Sequence, residues 1–128
     1  MAATVLVVDD ERSQLDVLGR WLSQFGYPFR LAERAYVALE EMAADPADIL
    51  LVDLIMPEHD GFWLIERVRT QWPRSVIIVA TGVQDLDTVE KAKRLGAVDY
   101  VTKPFGRELL HQALVRAEGR LGRATNPE

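Results

Sequence analysis

Five side chains that could bind a cation and carry a phosphoryl group each follow an apolar run of this sequence. Asp9 and Asp10 come after "VLVV", and Asp53 comes after "ILLV". Thr81 and Lys103 follow two later runs. Three carboxylates brought together would repel one another unless a cation joined them. Mg²⁺ is commonly held by carboxylates plus phosphate oxygens, and an aspartate can itself become an aspartyl phosphate. An ammonium and a hydroxyl could engage the phosphoryl oxygens, so the set has the groups needed to accept phosphate.

Each of these signals is ordinary by itself. Paired acids after a strand usually occupy the first turn of a helix, and a Thr before Gly or a Lys before Pro is commonly a turn or loop residue. Their shared position at the ends of apolar runs makes the set informative. Lys103 is also one of three lysines beside twelve arginines. Its compact ammonium suits a single phosphoryl oxygen better than a planar guanidinium.

Apolar runs of strand length alternate with segments of helical period along the chain. The first helical segment places Leu15, Leu18, Leu22 and Phe25 on one face, which predicts a helix with Ser13 as its N-cap and Gly26 as its stop. Further helices are predicted over 35–44, 62–71 and 86–95, and a last one carries Leu110, Ala113, Leu114, Ala117 and Leu121. The predicted strands are 4–8, 28–31, 49–52, 76–80 and 98–101.

This alternation predicts an α/β fold with a parallel sheet covered by helices on both faces. The strand runs are continuously apolar, as strands buried on both faces should be. Right-handed crossovers then favour an open, doubly wound sheet of about five strands. Ligands of such sheets bind at the carboxyl ends of the strands, where the five candidate side chains are expected to meet.

Length and composition bound the function. The 128 residues predict one domain over 1–121, with 122–128 as a C-terminal tail or the start of a linker. A formal net charge of −5 argues against direct contact with nucleic acid. No apolar run is long enough to span a membrane, and there are no cysteines, so a cytoplasmic protein is expected.

Four segments, in this order and spacing, resemble the receiver domain of a two-component response regulator, such as the chemotaxis receivers, over about residues 4 to 121. They are "VLVVDDE" (5–11), "LLVDLIMPEHDG" (50–61), "VIIVATG" (76–82) and "GAVDYVTKPF" (96–105). The resemblance implies a flavodoxin-like fold, a doubly wound five-stranded parallel sheet of order 2-1-3-4-5 with five helices.

The resemblance also implies a phosphoryl acceptor and a cofactor. Asp53 matches the acceptor, and the implied cofactor is Mg²⁺. Its expected ligands are Asp10 directly, Asp9 mainly through water, Asp53 itself, and the backbone carbonyl of Ile55, two residues past the acceptor.

A switch is implied as well. Thr81 matches the switch hydroxyl of the family, Tyr100 the switch aromatic, and Lys103 the amine that pairs with the acceptor or its phosphoryl group. The Lys103–Pro104 bond is expected to be cis, a state that is far more accessible before proline than elsewhere. Phosphate on Asp53 would draw Thr81 inward and leave space for Tyr100, so that a local charge changes a distant surface.

Partners follow from the resemblance. Phosphate is expected to come from a histidine kinase or a histidine phosphotransfer protein. The surface formed by the fourth helix, fifth strand and fifth helix is expected to control an output domain or effector, and is a candidate face for a homodimer.

Multiple turnover is not expected, because phosphatases and phosphomutases of similar topology usually have a general-acid Asp where this chain has Ile55. A degenerate receiver, acting as a phosphate-independent interaction module, is the alternative.

Two positions depart from the usual family pattern. Ile55 and Val83 stand where polar residues often orient an attacking water, so slow self-dephosphorylation is expected.

His59 and His111 are isolated in the sequence, and His111 is expected at the surface. There is no glycine-rich dinucleotide or P-loop motif to indicate nucleotide binding.

Overall fold

The structure is a computed structural model that describes residues 2–125. Five strands alternate with five helices, and most of the predicted bounds are reproduced within one residue. The strands are β1 (Val5–Val8), β2 (Phe29–Ala32), β3 (Ile49–Val52), β4 (Val76–Thr81) and β5 (Asp99–Thr102). The helices are α1 (Arg12–Phe25), α2 (Ala35–Ala44), α3 (Gly61–Gln71), α4 (Leu86–Leu95) and α5 (Arg107–Thr125).

All strand pairs in the sheet are parallel, and the strand order is β2-β1-β3-β4-β5. This confirms the flavodoxin-like order that the sequence motifs implied. Val8 lies opposite Val52, so Asp9 and Asp53, the next residues, leave the sheet at the same level. Thr81 lies opposite Thr102, which directly precedes Lys103. The register therefore brings the ends of four strands to one edge.

The sheet separates two hydrophobic clusters, because successive strand residues point to opposite faces. On β3, Leu50 belongs to the cluster covered by α2, α3 and α4, whereas Leu51 belongs to the cluster covered by α1 and α5. Both leucines are at most 1% exposed. The continuous apolar runs of the three inner strands are thus explained by burial on both faces.

The start of α1 differs from the prediction. The helix begins at Arg12, so Ser13 lies within its first turn and is not the N-cap. Glu11 occupies the cap position without a side-chain cap bond, and its own N–H donates to Asp9 Oδ1 at 3.0 Å. The predicted stop is confirmed, since Gly26 adopts a left-handed conformation (φ 90°) and closes the helix with its N–H.

At the C-terminus, α5 runs to Thr125, so the first part of the predicted tail continues the helix. Residues 126–128 of that predicted tail lie outside the described part of the chain. Within 2–125, no helix is both long and apolar enough to cross a bilayer.

Candidate functional site

Lys103 joins two of the carboxylates that the sequence placed at this edge. Its Nζ donates to Asp9 Oδ2 at 2.6 Å and to Asp53 Oδ2 at 3.1 Å. Both aspartates are buried, at 2% and 7% exposure, and the Lys103 side chain is 15% exposed. A charged group removed from water needs such partners, because an unpaired buried charge is strongly destabilising.

Burial and the neighbouring charges shift the pKa values of Asp9 and Lys103 in opposite directions. Burial raises the pKa of Asp9, although the Lys103 ammonium opposes that shift. Burial by itself would lower the pKa of Lys103, but the hydrogen bond to Asp9 and the charge of Asp53 outweigh it and raise that pKa. Lys103 is therefore held as an ammonium at neutral pH, and one positive charge faces two carboxylates.

Asp10 completes a cluster of three carboxylates. Asp9, Asp10 and Asp53 each offer an oxygen within 4.8 Å of the others. Asp10 is half-buried and has no hydrogen-bond or ion-pair partner for its side chain among the described residues. Three hard oxygen donors, open on one side to solvent through Asp10, suit the chemistry of Mg²⁺, which keeps part of its water shell.

Ile55 lies at the rim of this cluster with its side chain 65% exposed. Its backbone N–H donates to Asp53 Oδ1 at 3.3 Å, so the Leu54–Ile55 peptide contacts the Asp53 carboxylate. The role of the Ile55 carbonyl as a metal ligand stays a prediction.

Thr81 and Tyr100 lie on neighbouring strands beside the cluster. Thr81 is the last residue of β4 and is fully buried, and its hydroxyl has no hydrogen-bond partner among the described residues. Tyr100 is half-buried, and its hydroxyl donates to the carbonyl of Val83 at 2.6 Å. Burial, with the charges of Asp85 and Asp53, raises the pKa of Tyr100 and keeps the phenol neutral.

The sequence did not indicate that Val83 would hold Tyr100, because a backbone carbonyl leaves no compositional signal. In this arrangement the tyrosine is fixed to the segment that directly follows the buried Thr81. A displacement of Thr81 toward Asp53 would therefore act on the segment that holds Tyr100.

Gly61 allows α3 to approach the residues that follow β3, a role that the sequence did not indicate. A Cβ at position 61 would lie 2.5 Å from the carbonyl oxygen of Asp53 and 2.8 Å from the Cα of Leu54. Gly61 N–H also donates to the Leu54 carbonyl at 2.9 Å. The available signal was a glycine at the start of a helix where a side chain would ordinarily be tolerated.

Three other predictions can be compared with the structure. The Lys103–Pro104 peptide bond is cis, as expected. His59 is exposed and stacks on Trp63, with ring centroids 3.8 Å apart. His111 is half-buried and stacks on Phe25, with centroids 4.3 Å apart. Neither histidine joins the carboxylate cluster.

Comparison with known proteins gives a consistent result. The family model for the response regulator receiver domain matches residues 5–115. The response regulator protein FleR of Pseudomonas aeruginosa is 34% identical over 122 residues, which cover 94% of this chain and 26% of that protein. The response regulator MprA of Mycobacterium bovis is 35% identical over 128 residues, covering 100% of this chain and 54% of that protein. The chain thus spans between about a quarter and half the length of these relatives.

Solved structures show the same fold. The signal receiver domain of an HD domain-containing protein from Pseudomonas fluorescens superposes with a TM-score of 0.91 at 29% identity, covering 96% of this chain and 99% of that chain. The chemotaxis protein CheY4 of Vibrio cholerae superposes with a TM-score of 0.87 at 28% identity, covering 91% of this chain and 99% of that chain.

Proposed function

The chain belongs to the response regulator receiver domain family, and on that premise we propose that it is a Mg²⁺-dependent phosphoacceptor switch. Asp53 is the acceptor. The observation that supports this most directly is the pairing of Lys103 with both Asp9 and Asp53, beside Asp10, at the carboxyl edge of the sheet. A structural ion pair would need one carboxylate, whereas here the Lys103 ammonium pairs with both Asp9 and Asp53, and Asp10 lies beside them without an ion-pair partner among the described residues.

In the proposed reaction an oxygen of the Asp53 carboxylate attacks the phosphorus of a phosphohistidine on the donor protein. The P–N bond breaks, the new P–O bond forms an acyl phosphate, and the donor imidazole takes up a proton. A divalent cation would supply charge neutralisation for the phosphoryl oxygens. Asp9, Asp10, Asp53 and the Ile55 carbonyl would hold it, while Lys103 stays close enough to contact the incoming phosphoryl group.

The proposed switch uses the unsatisfied hydroxyl of Thr81. A phosphoryl group on Asp53 offers acceptor oxygens that the buried hydroxyl lacks in the structure described above. Movement of Thr81 toward them would shift the segment that carries the Val83 carbonyl, and so release or reorient Tyr100. The surface of α4, β5 and α5 would then change its shape.

The partners in this proposal are a histidine kinase or histidine phosphotransfer protein as donor and an output domain or effector as the responding element. Several relatives are DNA-binding transcriptional regulators of which this chain would cover about a fifth, such as NtrC of Proteus hauseri. A cytoplasmic location, no membrane contact and no direct nucleic acid contact by this domain are parts of the proposal. So is the absence of a multiple-turnover substrate.

Labelling by a small phosphodonor tests the proposal. We expect stoichiometric phosphorylation with acetyl phosphate and Mg²⁺, lost in Asp53→Asn and after removal of the metal by chelation. Asp16→Asn is the matched control, because Asp16 is exposed on α1 and has only a long ion pair with Arg12, at 3.9 Å. Labelling that survives in Asp53→Asn would refute the assignment. A chain that is never labelled would indicate the phosphate-independent interaction module, and release of phosphate over many cycles would indicate an enzyme.

A further inference from the structure

The edge of the sheet opposite Asp53 carries a second charged feature. A cavity of about 720 Å³ lies beneath the starts of β4 and β5, and an adjoining cavity of about 480 Å³ shares Pro73, Arg74 and Ser75 with it. We call the two together the basal groove. Its basic half is lined by Arg69, Arg74, Lys93 and Arg120. Its apolar half is lined by Trp72 and Leu121, and also by Asp48, whose Oδ2 accepts hydrogen bonds from the N–H and the hydroxyl of Thr4.

The basic half has no counter-charge among the described side chains. No carboxylate of residues 2–121 lines it. The side chains of Arg74, Lys93 and Arg120 have no ion-pair or hydrogen-bond partner within the described residues, and Arg69 donates only to the Pro73 carbonyl, at 3.1 Å. The whole chain has a formal charge of −5. Four cations in this half, against one carboxylate in the apolar half that is already bonded to Thr4, are therefore a local excess of positive charge on an acidic protein, and favour an anionic ligand.

Helix dipoles account for only part of this cluster. Arg69 and Lys93 lie in the last turns of α3 and α4, where cations stabilise a helix C-terminus. Arg74 follows α3 in the connection to β4, and Arg120 is on α5 with residues still helical beyond it. Arg74 and Arg120 lie outside the last turns of α3 and α4, so they do not stabilise those C-termini in this way. Their presence in the groove needs another explanation.

The backbone of the groove is unsuited to a tightly held single phosphate. Phosphate sites typically use converging backbone N–H groups. Here the N–H groups of Val76 and Val98 donate to Asp48 and Ile77 carbonyls at 2.8 Å each. Those of Ser75, Gly96 and Ala97 are also bonded to carbonyls. The remaining donors are separate, exposed side chains, which suit several spaced negative charges better than one compact anion.

The apolar half extends the same groove. Trp72 is half-buried and lies beside Pro73, which both cavities share. Residues at or just before the starts of β3, β4 and β5 line the groove, and neighbouring strands of a sheet lie about 4.8 Å apart. The groove therefore extends across the starts of three strands. With cations at one end and the Trp72 side chain at the other, it matches an extended segment that carries acids and an apolar residue.

We propose that the basal groove binds an acidic segment of a partner protein, with its carboxylates beside Arg74, Lys93 and Arg120 and one apolar side chain beside Trp72. The groove lies at the amino ends of β4 and β5, whereas Asp53 and Lys103 follow the carboxyl ends of their strands. A partner held there leaves the phosphoryl site accessible. The contact is independent of phosphate on Asp53 and goes beyond the proposed switch.

Fluorescence anisotropy with a dye-labelled synthetic peptide tests this proposal on the unphosphorylated 128-residue chain. The peptide has a central leucine flanked by aspartates and glutamates. We expect saturable binding that weakens at least tenfold in the double variant Arg74→Gln, Arg120→Gln. The matched control is Arg20→Gln with Arg94→Gln, which changes the net charge equally at arginines that do not line the groove. Replacing the peptide's leucine by serine should weaken binding several-fold.

Several results would overturn the proposal. Equal weakening in the two double variants would reduce the interaction to net charge. Absence of saturable binding would remove the site. Inorganic tripolyphosphate that binds as tightly as the peptide and displaces it would make the groove a phosphate site. Because Asp53 is unmodified in every arm, none of these results bears on the phosphoacceptor proposal.

Discussion

Thr81 has a buried, unsatisfied hydroxyl that costs stability and that the proposed switch would use. Its hydroxyl is fully buried on β4 and has no hydrogen-bond partner among the described residues. Such a group costs about 1–3 kcal/mol relative to a satisfied one. Buried polar groups are satisfied in most folded proteins, so an exception beside a carboxylate cluster is more informative than another buried leucine.

We therefore expect Thr81→Val to raise the free energy of unfolding by about 1 kcal/mol, because valine fills the same space without the unsatisfied hydroxyl. Ser75→Ala is the matched contrast. Ser75 is also buried, but its hydroxyl donates to the Ala47 carbonyl at 2.7 Å. Its removal should lower stability by about 1 kcal/mol. Urea denaturation of the unphosphorylated chain measures both, and a loss of stability in Thr81→Val would contradict the expectation.

Ile55 and Val83 are expected to lengthen the lifetime of the proposed phosphoryl group on Asp53. Neither side chain can orient a water by hydrogen bonding, and Ile55 stands at the rim of the acceptor. We expect Ile55→Asn combined with Val83→Glu to accelerate loss of phosphate roughly tenfold, which corresponds to about 1.4 kcal/mol of barrier. Val115→Asn, at an exposed valine of α5, serves as control. The decay of radiolabelled chain after removal of donor measures the rate. Decay of the unmodified chain within seconds at neutral pH would contradict slow self-dephosphorylation.

At the scale of elements, α3 and the end of β3 are fitted to each other by the missing side chain of Gly61. The first residue of the helix packs against the backbone of Asp53 and Leu54, which cannot move aside like a flexible side chain. Asp60 fixes the entry to the same helix by accepting the N–H of Trp63 at 2.9 Å. Asp53 is thereby held from the helix side as well as from the sheet.

Gly61→Ala should cost about 1–3 kcal/mol of stability, as overpacking of a filled space does, and should slow phosphorylation of Asp53. Gly119→Ala is the control, because nothing lies within 4 Å of a Cβ at that position of α5. There an exposed helical alanine should be neutral or stabilise by about 0.5–1 kcal/mol. Thermal unfolding and the initial rate of labelling are the two readouts. Similar behaviour of both variants would show that the close approach of Gly61 has no consequence.

A second contact between elements, from Tyr27, two residues after α1, to Glu118 of α5, makes stability depend on pH. The Tyr27 hydroxyl donates to Glu118 Oε1 at 2.6 Å. Burial, and then Glu118, raises the pKa of Tyr27 above its ordinary value. The fold thus holds the phenolic proton more tightly than the unfolded chain does. The stabilisation is complete below pH of about 10 and is lost as the pH rises above it.

Tyr27→Phe should lower stability by about 1–2 kcal/mol at pH 8 and reduce the loss of stability between pH 8 and pH 10.5. Tyr100 and Lys103, whose pKa values are also raised, leave a residual slope in every variant. Tyr36→Phe, at an exposed tyrosine, should keep the slope of the unmodified chain. Urea denaturation at the two pH values provides the comparison. An unchanged slope in Tyr27→Phe would show that the contact with Glu118 is not retained in solution.

At the scale of the whole molecule, the sheet lies between two proposed binding sites as well as between two hydrophobic clusters. Its carboxyl edge carries the carboxylates and Lys103, and its amino edge carries the basal groove. Exposed apolar side chains on the helices provide a third feature. Leu86 of α4 is 70% exposed, and Leu109 and Val115 of α5 are 46% and 54% exposed. These residues belong to the elements that the proposed switch would alter, and they could be covered by a second copy.

Beryllofluoride, a mimic of the phosphoryl group, should therefore shift the chain toward a dimer in size-exclusion chromatography with Mg²⁺ present. The expected cause is burial of these exposed apolar side chains between copies. Asp53→Asn should not respond, and Val115→Ser should weaken the shift. An elution volume unchanged by the mimic would remove the homodimer from the proposal while leaving phosphorylation untouched.

The sequence by itself determined the order of elements, the burial of the inner strands and the residues at the carboxyl edge. These follow from local spacing, because hydrophobic period and the residue after each run are set within a few positions. Asp9, Asp10, Asp53, Thr81 and Lys103 were predicted in this way. The helix cap at Ser13 was wrong, since several candidate cap residues occur within a few positions and the local sequence does not choose among them.

Only the tertiary structure determined which side chains contact one another and which have no hydrogen-bond partner. Lys103 contacts Asp9 across 94 positions of sequence, and that distance depends on strand register rather than on either residue's neighbours. Packing between elements also sets three further features. They are the hydrogen bond from Tyr100 to the Val83 carbonyl, the approach of Gly61 to Asp53 and the missing partner of the Thr81 hydroxyl. Each is a relation between elements that packing sets to within an ångström, whereas residue type and spacing set only which elements form.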